Sequence, residues 1–254
     1  MGAPVRSGHF LLDCATGASI CMLTIIWSVK GGSGASVVAA AVALAASARS
    51  STVTDVAQPD ATDSATTLTW LVDLCGDQPA VLGTARPTGP GVADWLAEPS
   101  RELATFRRLS VPVVDGLQLV NAGNAPLCSV HAGEPLVDAL RSLPGNVVVD
   151  AGHRTPCTAA LTDALLSAAD QSVLVVRPCY LALRAAVLHD PRPHGVVVIE
   201  EPGRALTSRD VADVVGVPVL ATVPYDASIA RAVDAGVLAR RPPTLLTRPL
   251  EGLT

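Results

Sequence analysis

Residues 23–37 read LTIIWSVKGGSGASV, an apolar run that ends in a glycine-rich turn, Lys30–Ser36. The turn is followed by an alanine- and valine-rich stretch, Ser36–Ala48, whose composition favours a helix. We predict a buried strand over Leu23–Val29, then the turn, then this helix. Such a turn binds phosphate, because glycines let the backbone approach the anion while N–H groups and the helix dipole supply a positive field.

The turn also holds Lys30, which is the only lysine in a chain with 18 Lys and Arg residues. An ammonium group is compact and sits on a flexible stem, which suits contact with a phosphate. We therefore predict that Lys30 contacts a phosphate group.

The composition indicates an α/β protein. A chain of 254 residues fits one such domain, and its hydrophobic content of 49% is enough for a full core. Aromatic residues make up only 3%, so the core is built from Val, Leu and Ala, as in parallel strands covered by alanine-rich helices. A net charge of −5 provides no basic field for nucleic acid or an anionic membrane.

The cysteines and apolar runs indicate a cytoplasmic protein. The six cysteines include no C-x-x-C pair, so we interpret them as reduced thiols rather than zinc ligands. The longest apolar run, Val37–Ala48, has 12 residues and is too short to cross a bilayer. No signal peptide is recognisable before it.

Apolar runs alternate with helical stretches along the chain. The predicted strands are Leu23–Val29, Leu68–Leu74, Leu117–Asn121, Asn146–Asp150, Ser172–Arg177, Gly195–Glu200 and Val217–Val223. The predicted helices are Ser36–Ala48, Ala80–Leu82, Val92–Ala97, Pro99–Val111, Gly133–Leu143, Thr158–Ala169, Leu181–His189, Thr207–Val215 and Ser228–Ala235. This order predicts an α/β fold with a doubly wound, mostly parallel sheet flanked by helices.

The predicted domain covers residues 22–236. Residues 1–21 show no clear period, and we expect a disordered leader or a start codon placed too early, because a domain beginning at Met22 would be complete. Residues 49–67 form a polar connection, expected as an insertion or a functional flap. Residues 237–254 form a tail rich in Pro and Arg.

Three polar residues stand where predicted strands end. Lys30, Asp73 and Asp150 each close an apolar strand. Ligands of doubly wound sheets bind outside the carboxyl ends of the strands. We therefore predict that these side chains share one nucleotide site.

Four ordered motifs resemble the MinD/ParA group of P-loop ATPases, especially its CpaE-like members from pilus and secretion loci. Lys30–Ser36 resembles the deviant phosphate loop K-G-G-x-G-K-[ST] of that family. Leu71–Leu74 resembles its second-strand aspartate motif, and Val147–Gly152 its switch II strand. Val217–Asp226 resembles its late P-V-L and P-Y-D stretch. The resemblance covers residues 22–236.

The resemblance implies a SIMIBI-like P-loop fold and a homodimer switched by ATP and Mg²⁺. Lys30 would reach the phosphates of the partner subunit, and the N–H groups of Gly32–Ser36 would cradle the phosphates. Asp73 and Asp150 would orient the water shell of the metal or the attacking water. The implied nucleotide contacts are Lys30, Gly31, Gly32, Ser33, Gly34, Ala35, Ser36, Val37, Pro224 and Asp226. The implied catalytic residues are Lys30, Asp73 and Asp150, and the implied metal ligands are Ser36, Asp73 and Asp150.

Three positions depart from the family pattern. Ala35 replaces the lysine inside the loop, and losing one such electrostatic contact lowers a rate by about 10²–10³. Cys75 replaces a carboxylate after the second strand, and a thiol does not suit Mg²⁺. Glu200 stands near the position of an adenine-reading amide. We therefore predict slow or degenerate hydrolysis.

Two interpretations of His153 and Arg154 stay open, a solvated loop or an arginine that compensates at the phosphates.

The sequence thus predicts a dimeric, ATP-binding MinD/ParA/CpaE-like protein that organises a pilus or secretion, septum-site or partition system with a protein partner. A nucleotide-independent pseudo-ATPase scaffold is the alternative. We expect no specific nucleic acid and no autonomous membrane anchor, because Pro242, Pro243 and Pro249 interrupt any helix in the tail. Contact with the inner face of the plasma membrane would occur only through partners.

Overall fold

The computed structural model describes residues 22–54, 68–127 and 133–253. Its strands are β1 Leu23–Ser28, β2 Thr69–Asp73, β3 Ser110–Val114, β4 Leu117–Val120, β5 Asn146–His153, β6 Gln171–Val176, β7 Gly195–Glu200 and β8 Val219–Pro224. Its helices are α1 Ala35–Thr54, α2 Gln78–Leu82, α3 Val92–Ala97, α4 Leu103–Arg108, α5 Gly133–Arg141, α6 Ala159–Ala168, α7 Tyr180–Val187, α8 Ser208–Val215, α9 Ala227–Asp234 and α10 Thr244–Thr247. A 3₁₀ turn, Arg248–Leu250, follows.

The strands form one sheet in the order β3-β4-β2-β5-β1-β6-β7-β8. Every neighbouring pair is parallel except β3 and β4. The predicted doubly wound, mostly parallel fold is therefore confirmed. The leader 1–21 and residues 55–67 of the predicted connection lie outside the described residues. Among the described helices, none combines the length and hydropathy that a membrane-spanning segment needs.

Helix α1 is buried on several sides, and its small alanine side chains allow other elements to pack closely around it. Residues 39–43 are inaccessible to solvent, and they pack in one core cluster with strands of the sheet. The same cluster contains Leu246, Leu250 and Leu253 from the C-terminal segment, which packs against α1. Small side chains let a helix be covered both by a sheet and by a further segment. The Pro- and Arg-rich tail thus contributes leucines to the core.

Helix α1 ends later than predicted. It continues to Thr54, six residues past Ala48, so residues 49–54 are helical rather than part of a polar connection. The hydroxyls of Ser47 and Ser50 donate to the carbonyls of Leu44 and Ala46, which satisfies these polar groups inside the helix. The serine-rich composition therefore does not end the helix.

The prediction of a helix over Pro99–Val111 is wrong at its C-terminal end. Helix α4 ends at Arg108, and β3 then pairs antiparallel with β4. Gly116, with φ of +74°, makes the turn between them. Pro112 is tolerated because β3 lies at the edge of the sheet, where a missing N–H breaks no ladder.

Candidate functional site

The glycine-rich loop leaves the carboxyl end of β1 and enters α1. Gly32 and Gly34 have φ of +74° and +90°, a region in which side chains are strained. The hydroxyl of Ser33 donates to the Lys30 carbonyl at 2.7 Å, which closes the loop. Apart from Gly32 and its two chain neighbours, no atom of the described chain lies within 4 Å of a Cβ built on Gly32, so the loop borders open space. The first N–H groups of α1 have no partner within the helix. This cradle fits a phosphate group.

Lys30 lies exposed beside the loop. Its Nζ is 3.9 Å from the Sγ of Cys179, and no described carboxylate lies within ion-pair distance of it. Its ammonium is therefore available to an external anion.

Asp73 and Asp150 are neighbours across β2 and β5, and both are inaccessible to solvent. Burial, and then the charge of Asp150, raises the pKa of Asp73 to about 6. Burial likewise raises the pKa of Asp150. Neither forms an ion pair with a Lys, Arg or His of the described chain. The structure therefore contains a buried carboxylate pair that a cation would stabilise.

Both carboxylates are held in place by N–H donors. Asp73 accepts from the backbone N–H groups of Cys75, Gly76 and Gln78 at 2.9, 2.8 and 3.1 Å. Asp150 accepts from the N–H of residue 152 at 3.0 Å. These bonds fix the oxygens at the edge of the sheet, where the loop lies.

Gln78 is a site residue that sequence analysis missed. Its Nε2 donates to the Asp150 carboxylate at 2.7 Å and to the Ser36 carbonyl at 2.8 Å. Its side-chain oxygen, although buried, has no hydrogen-bond partner among the described residues. The available signal was its place in the turn that follows Asp73.

The donor set fits a hard cation such as Mg²⁺. The Ser36 side chain lies close enough to the Asp150 carboxylate to oppose the rise in its pKa, and oxygens of Asp73 and Asp150 lie within 4.8 Å of each other and of the Cys75 sulfur. Oxygen ligands suit Mg²⁺. Residue Cys75 is exposed at the loop, but partial desolvation of its sulfur and the two neighbouring carboxylates raise the pKa of the thiol above its usual range, so the thiol is neutral and a poor ligand. The oxygens of Ser36, Asp73 and Asp150 would therefore hold the ion.

An apolar cavity of about 270 Å³ opens between α1 and the carboxyl ends of β7 and β8. It places Pro224 and Asp226 beside Gly32, Ser33, Gly34 and Val37, so these sequence-predicted residues are brought together. Apolar side chains dominate its wall, among them Val37, Val38, Ile199, Val223, Ile229 and Val233. An apolar slot with a few polar groups suits a flat base. The Asp226 carboxylate accepts from Ser228, which lowers its pKa, so it is ionised at neutral pH.

Glu200 and Arg154, which sequence analysis singled out beside the motifs, do not line this cavity. Glu200 is exposed, and Ile199 rather than Glu200 lines the cavity. Arg154 forms a two-bond pair with Asp163 at 2.8 and 2.7 Å. Arg154 is therefore engaged with Asp163, which is neither the solvated loop nor the arginine at the phosphates that the two interpretations described.

Arg177 lies at the loop, and sequence analysis missed it. Its Nη1 is 3.5 Å from the carbonyl oxygen of Gly32, and its guanidinium lies over the Tyr225 ring, 4.6 Å from the centroid. The signal for it was its position directly after β6, at the same edge of the sheet as Lys30.

No family model matches the chain, and no curated protein is similar to it. Solved structures are similar. The ParA family ATPase from Chlorobium tepidum TLS is 19% identical, with a TM-score of 0.68 over 93% of this chain and 97% of that one. The septum site-determining protein MinD from Pyrococcus horikoshii OT3, complexed with Mg-ADP, is 17% identical, with a TM-score of 0.68 over 91% and 93%. A variant of McdA from Cyanothece, in complex with ATP, is 14% identical, with a TM-score of 0.60 over 91% and 95%. The chain therefore has the fold of the ParA and MinD ATPases.

Proposed function

We propose that this chain is a MinD/ParA-like protein that binds Mg²⁺ and ATP and dimerises in the nucleotide-bound state. One observation carries the proposal: a glycine cradle, a buried carboxylate pair and an apolar cavity meet at one edge of the sheet. The nucleotides bound by the similar MinD and McdA structures support ATP as the ligand.

The phosphates would lie on the loop. The N–H groups of Gly32–Ser36 would donate to their oxygens, and residues Gly31–Val37 would enclose them. The base would enter the apolar cavity beside Pro224 and Asp226. The ionised Asp226 carboxylate can accept hydrogen bonds from an exocyclic amine or a ribose hydroxyl.

The metal would be held by Ser36, Asp73 and Asp150. When bound, Mg²⁺ neutralises phosphate charge, which is most of what phosphoryl transfer requires. Asp73 and Asp150 would orient water around it or toward the terminal phosphate. Gln78 would fix the Asp150 carboxylate and offer its unpartnered oxygen to a water molecule.

Lys30 would act between subunits. It is exposed at the rim of the loop and free of carboxylate partners among the described residues, so its side chain can reach out to phosphates on a second copy. A positive charge that completes the partner's site makes dimer formation depend on the nucleotide.

Hydrolysis would be slow. Ala35 is the first residue of α1 and is buried, so no side-chain cation enters the loop at this position. The neutral Cys75 thiol supplies neither a metal ligand nor a base. Loss of a single electrostatic group of this kind lowers a rate by about 10²–10³.

The cellular role would be spatial organisation of a pilus or secretion, septum-site or partition system. The protein would act as a homodimer with a protein partner in the cytoplasm, and it would reach the membrane only through that partner. A net charge of −5 favours a protein partner over non-specific nucleic acid.

Calorimetry with Mg²⁺ and the non-hydrolysable analogue AMPPNP tests the proposal. Wild type and the control Arg209→Ala, which removes an exposed cation of α8, should bind similarly. Lys30→Ala should still bind, but more weakly, because it loses the contribution that dimerisation makes to the affinity. Light scattering should show nucleotide-dependent dimers for wild type and Arg209→Ala but not for Lys30→Ala.

Absence of binding to wild type would contradict ATP binding and favour the nucleotide-independent scaffold. Unchanged dimers of Lys30→Ala would refute the role of Lys30 between subunits while leaving nucleotide binding intact.

A further inference from the structure

Arg177 stands between two recesses at the loop. It lines the apolar cavity described above. It also lines a second recess of about 150 Å³, formed by Lys30, residues 31–33, Cys179 and Arg204. Its guanidinium therefore borders both the place proposed for the base and the outer side of the phosphate loop.

The charge around this second recess is unbalanced toward positive. Arg177 and Arg204 both contact the same Glu201 oxygen, at 2.8 and 2.7 Å. One carboxylate thus forms ion pairs with two guanidiniums, and the ammonium of Lys30 is a third cation at this recess. An anion at the loop would meet this excess of positive charge.

We propose that Arg177 supplies the positive charge at the nucleotide phosphates that the alanine at position 35 cannot. In the free protein Glu201 holds the guanidinium beside the loop, and phosphate oxygens replace Glu201 as its acceptor when the nucleotide binds. This inference rests on the proposed function and names a binding residue that neither the loop motif nor the carboxylate pair contains.

The other cations of the site are less suited to this role. Arg154 is committed to Asp163 through two bonds. Arg204 does not line the cavity proposed for the base, and its side chain is more exposed than that of Arg177, 45% against 30%. Lys30 is available, but its exposed position suits contact with a second subunit.

The chemistry of Arg177 fits the exchange. A guanidinium can donate two parallel hydrogen bonds to a phosphate, as it does to a carboxylate, so Glu201 mimics the ligand. The ring of Tyr225 under the guanidinium restricts its plane. The guanidinium already lies at the loop backbone, because Nη1 is 3.5 Å from the Gly32 carbonyl oxygen.

Binding of AMPPNP and adenosine, each with Mg²⁺, separates this role from a structural one. Affinities are measured by competition against a fluorescent ADP analogue. Arg177→Ala should weaken AMPPNP about 10- to 100-fold, as expected for a hydrogen-bonded charge pair, and leave adenosine within about 2-fold of wild type. Arg177→Lys should recover part of the loss. Arg204→Ala is the matched control, because it removes the other guanidinium from Glu201, and it should change AMPPNP affinity by less than about 3-fold.

Glu201→Gln tests the exchange itself. The variant removes the charged competitor for Arg177, so AMPPNP should bind about 2- to 10-fold more tightly, while adenosine should be unaffected. Weaker AMPPNP binding by this variant would overturn the exchange.

The outcomes distinguish this inference from the proposed function. Tight AMPPNP binding by wild type with no loss in Arg177→Ala overturns the inference alone. Equal losses of AMPPNP and adenosine in Arg177→Ala also overturn it, because they indicate that the arginine shapes the cavity instead of binding phosphate. Failure of wild type to bind AMPPNP overturns the proposed function and the inference with it.

Discussion

The carboxylate pair of Asp73 and Asp150 should make the free protein less stable as the pH rises. Burial, and then the charge of Asp150, raises the pKa of Asp73 from 3.8 to about 6. In the unfolded chain the same group ionises near its ordinary value, so the folded protein holds the proton to higher pH. The stability contributed by protonated Asp73 is therefore complete below about pH 3.8 and is lost as the pH rises through about 6.

The size of this effect follows from the two pKa values. Each pH unit between them corresponds to about 1.36 kcal/mol, so the full loss is about 3 kcal/mol. About 2 kcal/mol of it falls between about pH 4.5 and about pH 7.5, a range that urea unfolding can cover. Aspartates with lowered pKa values, such as Asp94 and Asp170, stabilise the folded protein as the pH rises. The contribution of Asp73 must therefore be measured as the difference in unfolding free energy between wild type and a variant at this position.

Asp73→Asn provides that difference. Its side-chain oxygen still accepts from Cys75 and Gly76, but the N–H of Gln78 loses its acceptor, at a cost of about 1–2 kcal/mol. Without Mg²⁺ or nucleotide, the variant should be less stable than wild type at low pH and gain about 2 kcal/mol relative to it by about pH 7.5. Saturating Mg²⁺ and AMPPNP should abolish the decline of wild type. Parallel pH curves for the two proteins would refute the raised pKa.

Three further predictions follow from packing and from the loop. Gly83→Ala should lower the free energy of unfolding in urea by about 3 kcal/mol or more, because the added Cβ would lie 2.0 Å from a backbone oxygen. The control Gly203→Ala has a similar φ but open space around the added Cβ, so it should lose only about 1–2 kcal/mol. Equal losses would contradict this packing. Because the C-terminal segment packs in the core, Leu250→Ala should lower the free energy of unfolding by about 2–5 kcal/mol. The control Leu245→Ala changes an exposed side chain and should lower it by under about 1 kcal/mol. A small loss in both variants would exclude this role of the segment. Ala35→Lys should raise ATP turnover about 10²–10³-fold over the uncharged control Ala35→Met, and no gain would locate the defect elsewhere in the site.

Local sequence patterns predicted much of this fold because strand burial, helix capping and turn conformation depend on residues that are close together in the chain. Apolar runs followed by an aspartate marked β2 and β5, and with them Asp73 and Asp150, although β5 continues past Asp150 to His153. A helix was predicted to begin at Thr207, and the Thr207 side chain accepts from the N–H of Asp210 in a complete capping box. The glycines of the loop were recognisable because few other residues tolerate their positive φ.

What sequence reasoning missed depends on contacts between distant segments. Arg177 reads as an ordinary charged residue after a strand, and only the pairing of β6 with β1 brings it to the loop. Gln78 and Asp150 are 72 residues apart, and their hydrogen bond depends on the pairing of Asp73 in β2 with Asp150 in β5. The burial of Leu250 requires a partner, α1, that lies about 200 residues earlier. Position after a strand marks such residues as candidates, but spacing along the chain does not show which distant segment they contact.

The two substitutions in the site offset each other electrostatically. Relative to the family pattern, Ala35 removes a positive charge and Cys75 removes a negative one, and both residues line the same cavity beside the loop. Together these two positions therefore leave the net charge unchanged relative to that pattern, whereas the cation of the pattern within the loop is absent. A carboxylate at position 75 would lie beside Asp73 and Asp150, whose pKa values are already raised. The added repulsion between like charges would lower the stability of the free protein further. Binding can survive such a paired change because it depends on the total field, while hydrolysis depends on a charge at one atom of the transition state.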